Sequence, residues 1–201
     1  MITIVDYGMG NLGSILNMFK RIGVKAAVTK DPKALQSAEK ILLPGVGAFD
    51  AAMERIAASG LRQILDHKAL VERVPVLGIC LGMQLLTRGS EEGTLLGLGW
   101  IDADTKRFPA RAGLKVPHMG WNVALPATPS VLTENLPEVP RFYFVHSYYV
   151  QTDDPAYSIM CTTHGVTFDS AIQHDNIYGA QFHPEKSHKF GMQLLKNFAE
   201  L

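Results

Sequence analysis

Val74-Pro75-Val76-Leu77-Gly78-Ile79-Cys80-Leu81-Gly82-Met83-Gln84-Leu85-Leu86 reads as a buried strand, a sharp turn and the start of a helix. Gly78 and Gly82 flank Cys80 by two residues on each side. The resulting G-x-C-x-G frame has the spacing of a nucleophile elbow, with sulfur in place of oxygen. Small residues are required there because a strand-to-helix turn brings neighbouring backbones close together. The same turn pushes the cysteine side chain outward and leaves it at a helix N-terminus, where unpaired N–H groups and the helix dipole stabilise a thiolate. The Leu81 N–H points at the same place, ready for a developing oxyanion. Cys161, inside Ser158-Ile159-Met160-Cys161-Thr162-Thr163, has no such frame and reads as a structural cysteine.

Upstream of the elbow, strands and helices alternate. Met1–Asp6 is a short apolar run ending at Gly8-Met9-Gly10, and Leu12, Ile15, Leu16, Phe19 and Ile22 follow at helical spacing. Lys25–Thr29 and Lys40–Leu43 read as strands, and Asp31-Pro32 opens a short helix between them. Pro44-Gly45-Val46-Gly47 ends the third strand. Two helical stretches, Ala48–Ala58 and Leu61–Arg73, lead to the strand before Cys80. Such alternation predicts a parallel sheet covered on both faces.

Downstream the pattern changes to short β-rich stretches: Gly99–Phe108, Trp121–Leu125, Phe142–Gln151, Ser158–Thr163, Phe168–Gln173 and Ile177–Phe182. His164-Gly165 and Asp175-Asn176 predict hairpin turns between the later ones, and Ser187 is placed to cap a final helix. The expected fold is α/β: one domain over residues 1–201, with a mixed, mostly parallel central sheet, helices on both faces and antiparallel additions in the C-terminal half. Loops at the carboxyl ends of the parallel strands are then the place for a site.

A thiolate nucleophile needs a base, and the base needs an orienting group. His183, in Gln181-Phe182-His183-Pro184-Glu185-Lys186-Ser187, ends an apolar strand, and Glu185 lies two residues on. In extended geometry those two share a face, so Glu185 can hold the imidazole. Of the seven histidines, His146 has no acid at i+2 and His118 falls in a turn-like Pro117-His118-Met119-Gly120. His164, His174 and His188 fall at predicted turns and read as solvated, and His67 as a surface residue on a helix. No Cys/His group has zinc-ligand spacing, so no metal is expected, and no cofactor.

The charge balance narrows the function classes. Lys+Arg and Asp+Glu are 19 each, for a net charge of zero. A neutral chain without a basic cluster is a poor partner for nucleic acid or an anionic membrane. No apolar run approaches the length of a membrane-spanning helix. Met1-Ile2-Thr3-Ile4-Val5-Asp6 lacks the features of a secretion signal, and two cysteines make no disulfide framework. A cytoplasmic location is the expectation.

Pro44-Gly45-Val46-Gly47, the Cys80 elbow and His183-Pro184-Glu185 together resemble the class I (triad) glutamine amidotransferases. Lys115-Val116-Pro117-His118-Met119-Gly120-Trp121-Asn122 and Tyr143-Phe144-Val145-His146-Ser147-Tyr148-Tyr149 narrow the resemblance to the glutaminase subunits of imidazole glycerol phosphate synthase, a histidine-pathway enzyme. The resemblance runs from Asp6-Tyr7-Gly8-Met9-Gly10-Asn11 to Glu185-Lys186-Ser187. It implies that Cys80, His183 and Glu185 are catalytic and that the Val46 and Leu81 N–H groups form an oxyanion hole. It further implies that Gly45, Gly47, Gln84, His146, Ser147 and Tyr148 border L-glutamine. Ammonia must then pass to an acceptor site on another chain, a synthase (cyclase) subunit with a (β/α)8 barrel in a heterodimer. Asn11, Met119, Trp121, Asn122 and Lys186 are expected at that interface. Two alternatives stay open: a paralogue feeding a different synthase, such as one amidating a surface-polysaccharide sugar, and a non-catalytic docking or regulatory subunit.

Overall fold

The computed structural model describes residues 1–201. Its first half alternates as the sequence predicts: β1 (Ile2–Val5), α1 (Leu12–Arg21), β2 (Ala26–Thr29), α2 (Pro32–Gln36), β3 (Lys40–Leu43), α3 (Phe49–Ala58), α4 (Arg62–Asp66), β4 (Val76–Ile79) and α5 (Leu81–Leu85). The helix expected over Leu61–Arg73 is shorter in α form, because α4 continues as a π-helical turn over His67–Val71. Asp31 caps α2 by accepting from the Lys33 N–H, with Pro32 in the first turn.

The second half contains β5 (Ala103–Arg107), β6 (His118–Val123), β7 (Leu125–Pro126), β8 (Arg141–His146), β9 (Tyr148–Thr152), β10 (Ser158–His164), β11 (Val166–His174), β12 (Ile177–Ala180) and α6 (His188–Glu200). Two expectations change here. The strand expected from Trp121 begins at His118, so His118 lies in β6 and not in a turn. The stretch expected over Phe142–Gln151 breaks at Ser147 because the chain changes sheet there. β8 pairs with β6 in a separate two-stranded sheet, whereas β9 pairs with β5 and β11 in the main one. The hairpin turns at Gly165 and Asp175 are as expected, both at positive φ.

The main sheet has the order β2-β1-β3-β4-β12-β11-β10-β7. The five strands from β2 to β12 are parallel, and the rest are antiparallel additions. Strand periodicity splits the core into two layers. Val5, Ile41, Leu43 and Val76 face Phe49, Met53 and Ile56 of α3 and Leu65 of α4. Ile2, Ile4, Leu42, Leu77 and Ile79 face Ile15 and Phe19 of α1 and Leu194 and Phe198 of α6. Burying each such side chain contributes about 1.5–3 kcal/mol. No helix is long and apolar enough to cross a membrane.

Register then fixes where chemistry can occur. Ile79 of β4 lies opposite Ala180 of β12, and the Cys80 N–H donates to the Ala180 carbonyl at 2.7 Å. The residues just past these two strand ends, Cys80 on one and His183 on the other, therefore emerge side by side at the carboxyl edge of the sheet.

Candidate active site

Cys80 sits at the N-cap of α5 with φ 54° and ψ −111° and is 7% exposed. Such a backbone is sparsely populated for any residue with a Cβ, and it holds only because the surroundings fix it. The flanking glycines supply that frame. A Cβ on Gly78 would lie 2.5 Å from the Gly82 carbonyl oxygen, and one on Gly82 would lie 1.9 Å from the Leu43 carbonyl oxygen. Nothing larger than glycine fits where β3, β4 and α5 converge.

His183 is 1% exposed, and its Nδ1–H donates to Glu185 Oε1 at 2.8 Å, a pair whose side chains are both 2% exposed. The remaining ring nitrogen, Nε2, has no hydrogen bond of full geometry and has the Cys80 sulfur as its polar neighbour. Burial disfavours the charged ring. Hydrogen bonding and charge from Cys80 and Glu185 outweigh it and hold the His183 pKa at about 10. The imidazole therefore carries a proton at neutral pH, beside the sulfur.

The backbone of His183 is fixed by a residue expected to do something else. Ser187 does occupy the N-cap of α6, but its hydroxyl makes no cap bond. Instead it donates to the His183 carbonyl at 2.6 Å and accepts from the Tyr143 N–H at 3.0 Å.

The Pro44–Gly47 loop lies against the elbow. A Cβ on Gly45 would come within 2.9 Å of Leu81 Cβ and 2.7 Å of the Tyr7 hydroxyl. That hydroxyl donates to the Pro44 carbonyl at 2.5 Å. Burial, and next the nearby charge of Cys80, raise the Tyr7 pKa well above the ordinary tyrosine range, so it remains a donor. Gly47 has φ 117°, which only glycine adopts freely. The Leu81 N–H, in the first turn of α5, belongs to the set that has no intrahelical acceptor.

These elements enclose a cavity of about 360 Å³, at the small end of ligand sites. Val46, Gly47, Cys80, Leu81, Gln84, His146, Ser147, Tyr148 and His183, all expected at the site, line it. Gly45 packs behind the loop and Glu185 behind His183. Pro117, Val145 and Glu92 line it without having been expected. Glu92 is the acidic member of this lining, and its Oε2 accepts from the Phe49 N–H at the start of α3 at 3.0 Å. Its only sequence signal is a carboxylate twelve residues after Cys80, which carries no spatial information by itself.

The residues expected at an interface divide. Met119 is 63% exposed and Trp121 40% exposed. Trp121 stacks on His188 at 5.5 Å, and Lys186 Nζ lies over the Tyr143 ring at 5.6 Å, so these residues form one mixed apolar and cationic patch. Asn11 caps α1 by accepting from the Ser14 N–H at 3.2 Å. Asn122 turns inward, donating to His118 Nε2 and to the Thr163 carbonyl, each at 3.1 Å. His164, expected to be solvated, stacks on His118 at 4.2 Å and bonds the Lys115 carbonyl, while His188 covers Trp121. Both cysteines are free, and Cys161 rests 3.2 Å from the Ser158 hydroxyl. No group of three or more His, Cys, Asp or Glu side chains is set to hold a metal ion.

A cysteine on a strand-to-helix elbow, a buried histidine held by a glutamate and a glycine-rich loop beside them have the arrangement of thiol-based triad enzymes. A sequence model of the glutamine amidotransferase class-I family matches residues 3–201. Structures of the same fold include a glutamine amidotransferase (TM-score 0.75, 16% identity, covering 100% of this chain and 98% of that one). Another glutamine amidotransferase, from Thermotoga maritima, also matches (TM-score 0.66, 17% identity, 99% and 80%). Much closer in sequence is the imidazole glycerol phosphate synthase subunit HisH 2 of Pseudomonas aeruginosa, 51% identical over the full length of both chains. The protein of the same name from Methanococcus maripaludis is 54% identical over 98% of each. The chain belongs to the class-I glutamine amidotransferases and, within them, to the HisH family.

Proposed function

We propose that this chain hydrolyses L-glutamine and delivers the ammonia to a synthase subunit that makes imidazole glycerol phosphate and AICAR in histidine biosynthesis, in the cytoplasm. The observation that carries this reading is the buried His183, hydrogen-bonded to Glu185, lining the same small cavity as a cysteine on a strained elbow.

In this reading the Cys80 thiolate attacks the carboxamide carbon of glutamine. The oxyanion so formed accepts from the Leu81 N–H and from the Val46 N–H in the glycine-rich loop. His183 gives its proton to the departing ammonia, and the tetrahedral species collapses to a thioester. The now neutral His183 takes a proton from water, whose oxygen attacks the thioester. The second tetrahedral species expels the Cys80 thiolate, glutamate leaves with its new carboxyl giving its proton to water, and the thiolate beside a protonated His183 is restored. Glu185 keeps the ring oriented throughout. Glu92 pairs with the α-ammonium group of glutamine. Gln84 presents Oε1 to the substrate, because both hydrogens of its Nε2 are engaged elsewhere, with the Tyr148 carbonyl and Gln181 Oε1. The domain needs no second active site of its own. The acceptor reaction belongs to a (β/α)8 barrel partner seated on the Met119, Trp121 and Lys186 patch, in a heterodimer.

Glutamate release by the purified chain, with and without the cognate synthase and its ligand, tests this reading. Slow hydrolysis alone and strong stimulation by the partner are expected. Full activity without any stimulation sinks the histidine-pathway assignment.

A further inference from the structure

Behind the cavity, a line of hydrogen bonds runs from the β6 edge to the nucleophile. Asn122 Nδ2 meets His118 Nε2 at 3.1 Å, His118 Nδ1 meets His146 Nε2 at 2.8 Å, and His146 Nδ1 meets the Tyr148 carbonyl at 2.7 Å. Gln84 Nε2 donates to that same carbonyl at 3.1 Å and to Gln181 Oε1 at 3.1 Å, and Gln181 Nε2 reaches the Cys80 sulfur at 3.8 Å. His118 and His146 are 4% and 6% exposed. Neither ring exchanges a proton in the chemistry above, although His146 also lines the cavity.

The donors and acceptors fit in only one direction. A carbonyl accepts, so His146 Nδ1 carries the hydrogen. A neutral His146 then has a bare Nε2, and His118 Nδ1 must donate to it. The His118 Nε2 is bare in turn and accepts from Asn122. The Asn122 amide is oriented independently, since its Nδ2 also donates to the Thr163 carbonyl and its Oδ1 accepts from the Val123 N–H at 2.8 Å. A second proton on His118 would set two donors against each other, so the geometry itself requires a neutral ring. The aromatic surroundings agree: His118 stacks on Phe144 at 4.7 Å and on His164 at 4.2 Å. Burial pushes its pKa down to about 4 and that of His146 to about 3.

Strand geometry gives this line its consequence. Along β6, His118 and Asn122 point inward, while Met119 and Trp121 between them are exposed. We propose that Asn122 and His118 are positioning residues of the cavity, acting through His146 and the Tyr148 carbonyl on Gln84, so that the exposed β6 face and the nucleophile's pocket move as one hydrogen-bonded unit. This rests on reading Gln84 as a substrate contact. Whatever docks on Met119 and Trp121 thereby reaches the glutamine pocket through β6, the two histidines and the Tyr148 carbonyl, independently of the Val46 loop.

Two measurements test it. Imidazole nitrogen chemical shifts of the full chain at neutral pH report the tautomers directly, and both His118 and His146 are expected in the Nδ1–H form. Either ring in the Nε2–H form overturns the proposal, whatever the activity of the protein. In glutamate-release kinetics of the chain with its synthase partner, His118→Phe keeps the stacked ring but cuts the line. It should raise KM for glutamine about tenfold while kcat changes less than about threefold. His118→Asn, whose amide donates from nearly the Nδ1 position, should restore most of the loss. An unchanged KM in a folded His118→Phe protein overturns the proposal. A wild-type chain that releases no glutamate marks the failure of the glutaminase reading instead, and the tautomers then decide the hydrogen-bonded line by themselves.

Discussion

Replacing Cys80 with glycine should make the protein more stable than replacing it with alanine, the reverse of the usual order. Alanine keeps the Cβ and hence the conflict with φ 54° and ψ −111°. That ψ is far from the left-handed helical well, so the site lies outside the regions open to residues with a Cβ, at a cost of about 1–3 kcal/mol. Glycine releases the conflict but returns about 0.5–1 kcal/mol as backbone entropy in the unfolded chain. The difference leaves Cys80→Gly ahead of Cys80→Ala by about 1 kcal/mol, or roughly 2–4 °C in melting temperature for a chain of this size. The two variants differ by a single methyl group and both lack the thiol, so function does not confound the comparison. Thermal and urea melts followed by circular dichroism measure it. If Cys80→Gly melts below Cys80→Ala by the ordinary glycine penalty, the elbow stores no strain, and strain is not what the G-x-C-x-G frame holds in place.

Other perturbations reach the rest of the site. Glu92→Gln retains an acceptor for the Phe49 N–H but removes the negative charge from the cavity. KM for glutamine should rise about 10–100-fold with kcat nearly constant, and steady-state kinetics that leave KM unmoved would remove Glu92 from the substrate site. Tyr7→Phe leaves the Pro44 carbonyl without its donor, which should cost about 1–3 kcal/mol in a urea melt and lower kcat by loosening the loop that carries Val46. A variant matching wild type in both would show that Tyr7 is only packing. Stability should also depend on pH in two opposite windows. His118 and His146 have folded pKa values of about 4 and about 3, below an unfolded value near 6.5. The unfolded chain therefore binds more protons below pH 6.5, and stability falls there on acidification by up to about 1.4 kcal/mol per pH unit for each group. His183, raised to about 10, works the other way: its contribution is complete below pH 6.5 and is lost as pH rises through 10. A urea-melt series against pH should peak near neutrality, and a flat profile between pH 4 and 7 would contradict the neutral histidine pair.

What the sequence disclosed and what it hid have physical reasons. The elbow was legible because its chemistry is local: five residues fix the turn, and the glycines follow from close backbone approach. His183 and Glu185 were legible because two residues along an extended segment share a face, and Pro184 stiffens it. The parallel half of the sheet followed from alternation alone. Glu92 was hidden because its distance from Cys80 is set by the fold of the loop after α5, which no periodicity encodes. The inward turn of Asn122 was hidden by a boundary. With the strand read from Trp121, His118 fell in a turn, and the shared inner face of His118 and Asn122 could not be seen. Ser187 was placed correctly at a helix start, yet its hydroxyl serves the His183 carbonyl, a choice between two nearby acceptors that spacing does not make.

The central claim is that Cys80 carries the acyl group of glutamine. Incubating the wild-type chain and Cys80→Ala with glutamine and its synthase partner, and following glutamate release together with intact mass, tests it most directly. Wild type should give glutamate and ammonia in equal amounts and a covalent glutamyl adduct trapped on Cys80 after rapid acid quench, and Cys80→Ala should give neither. Continued glutamate release by Cys80→Ala would contradict the claim.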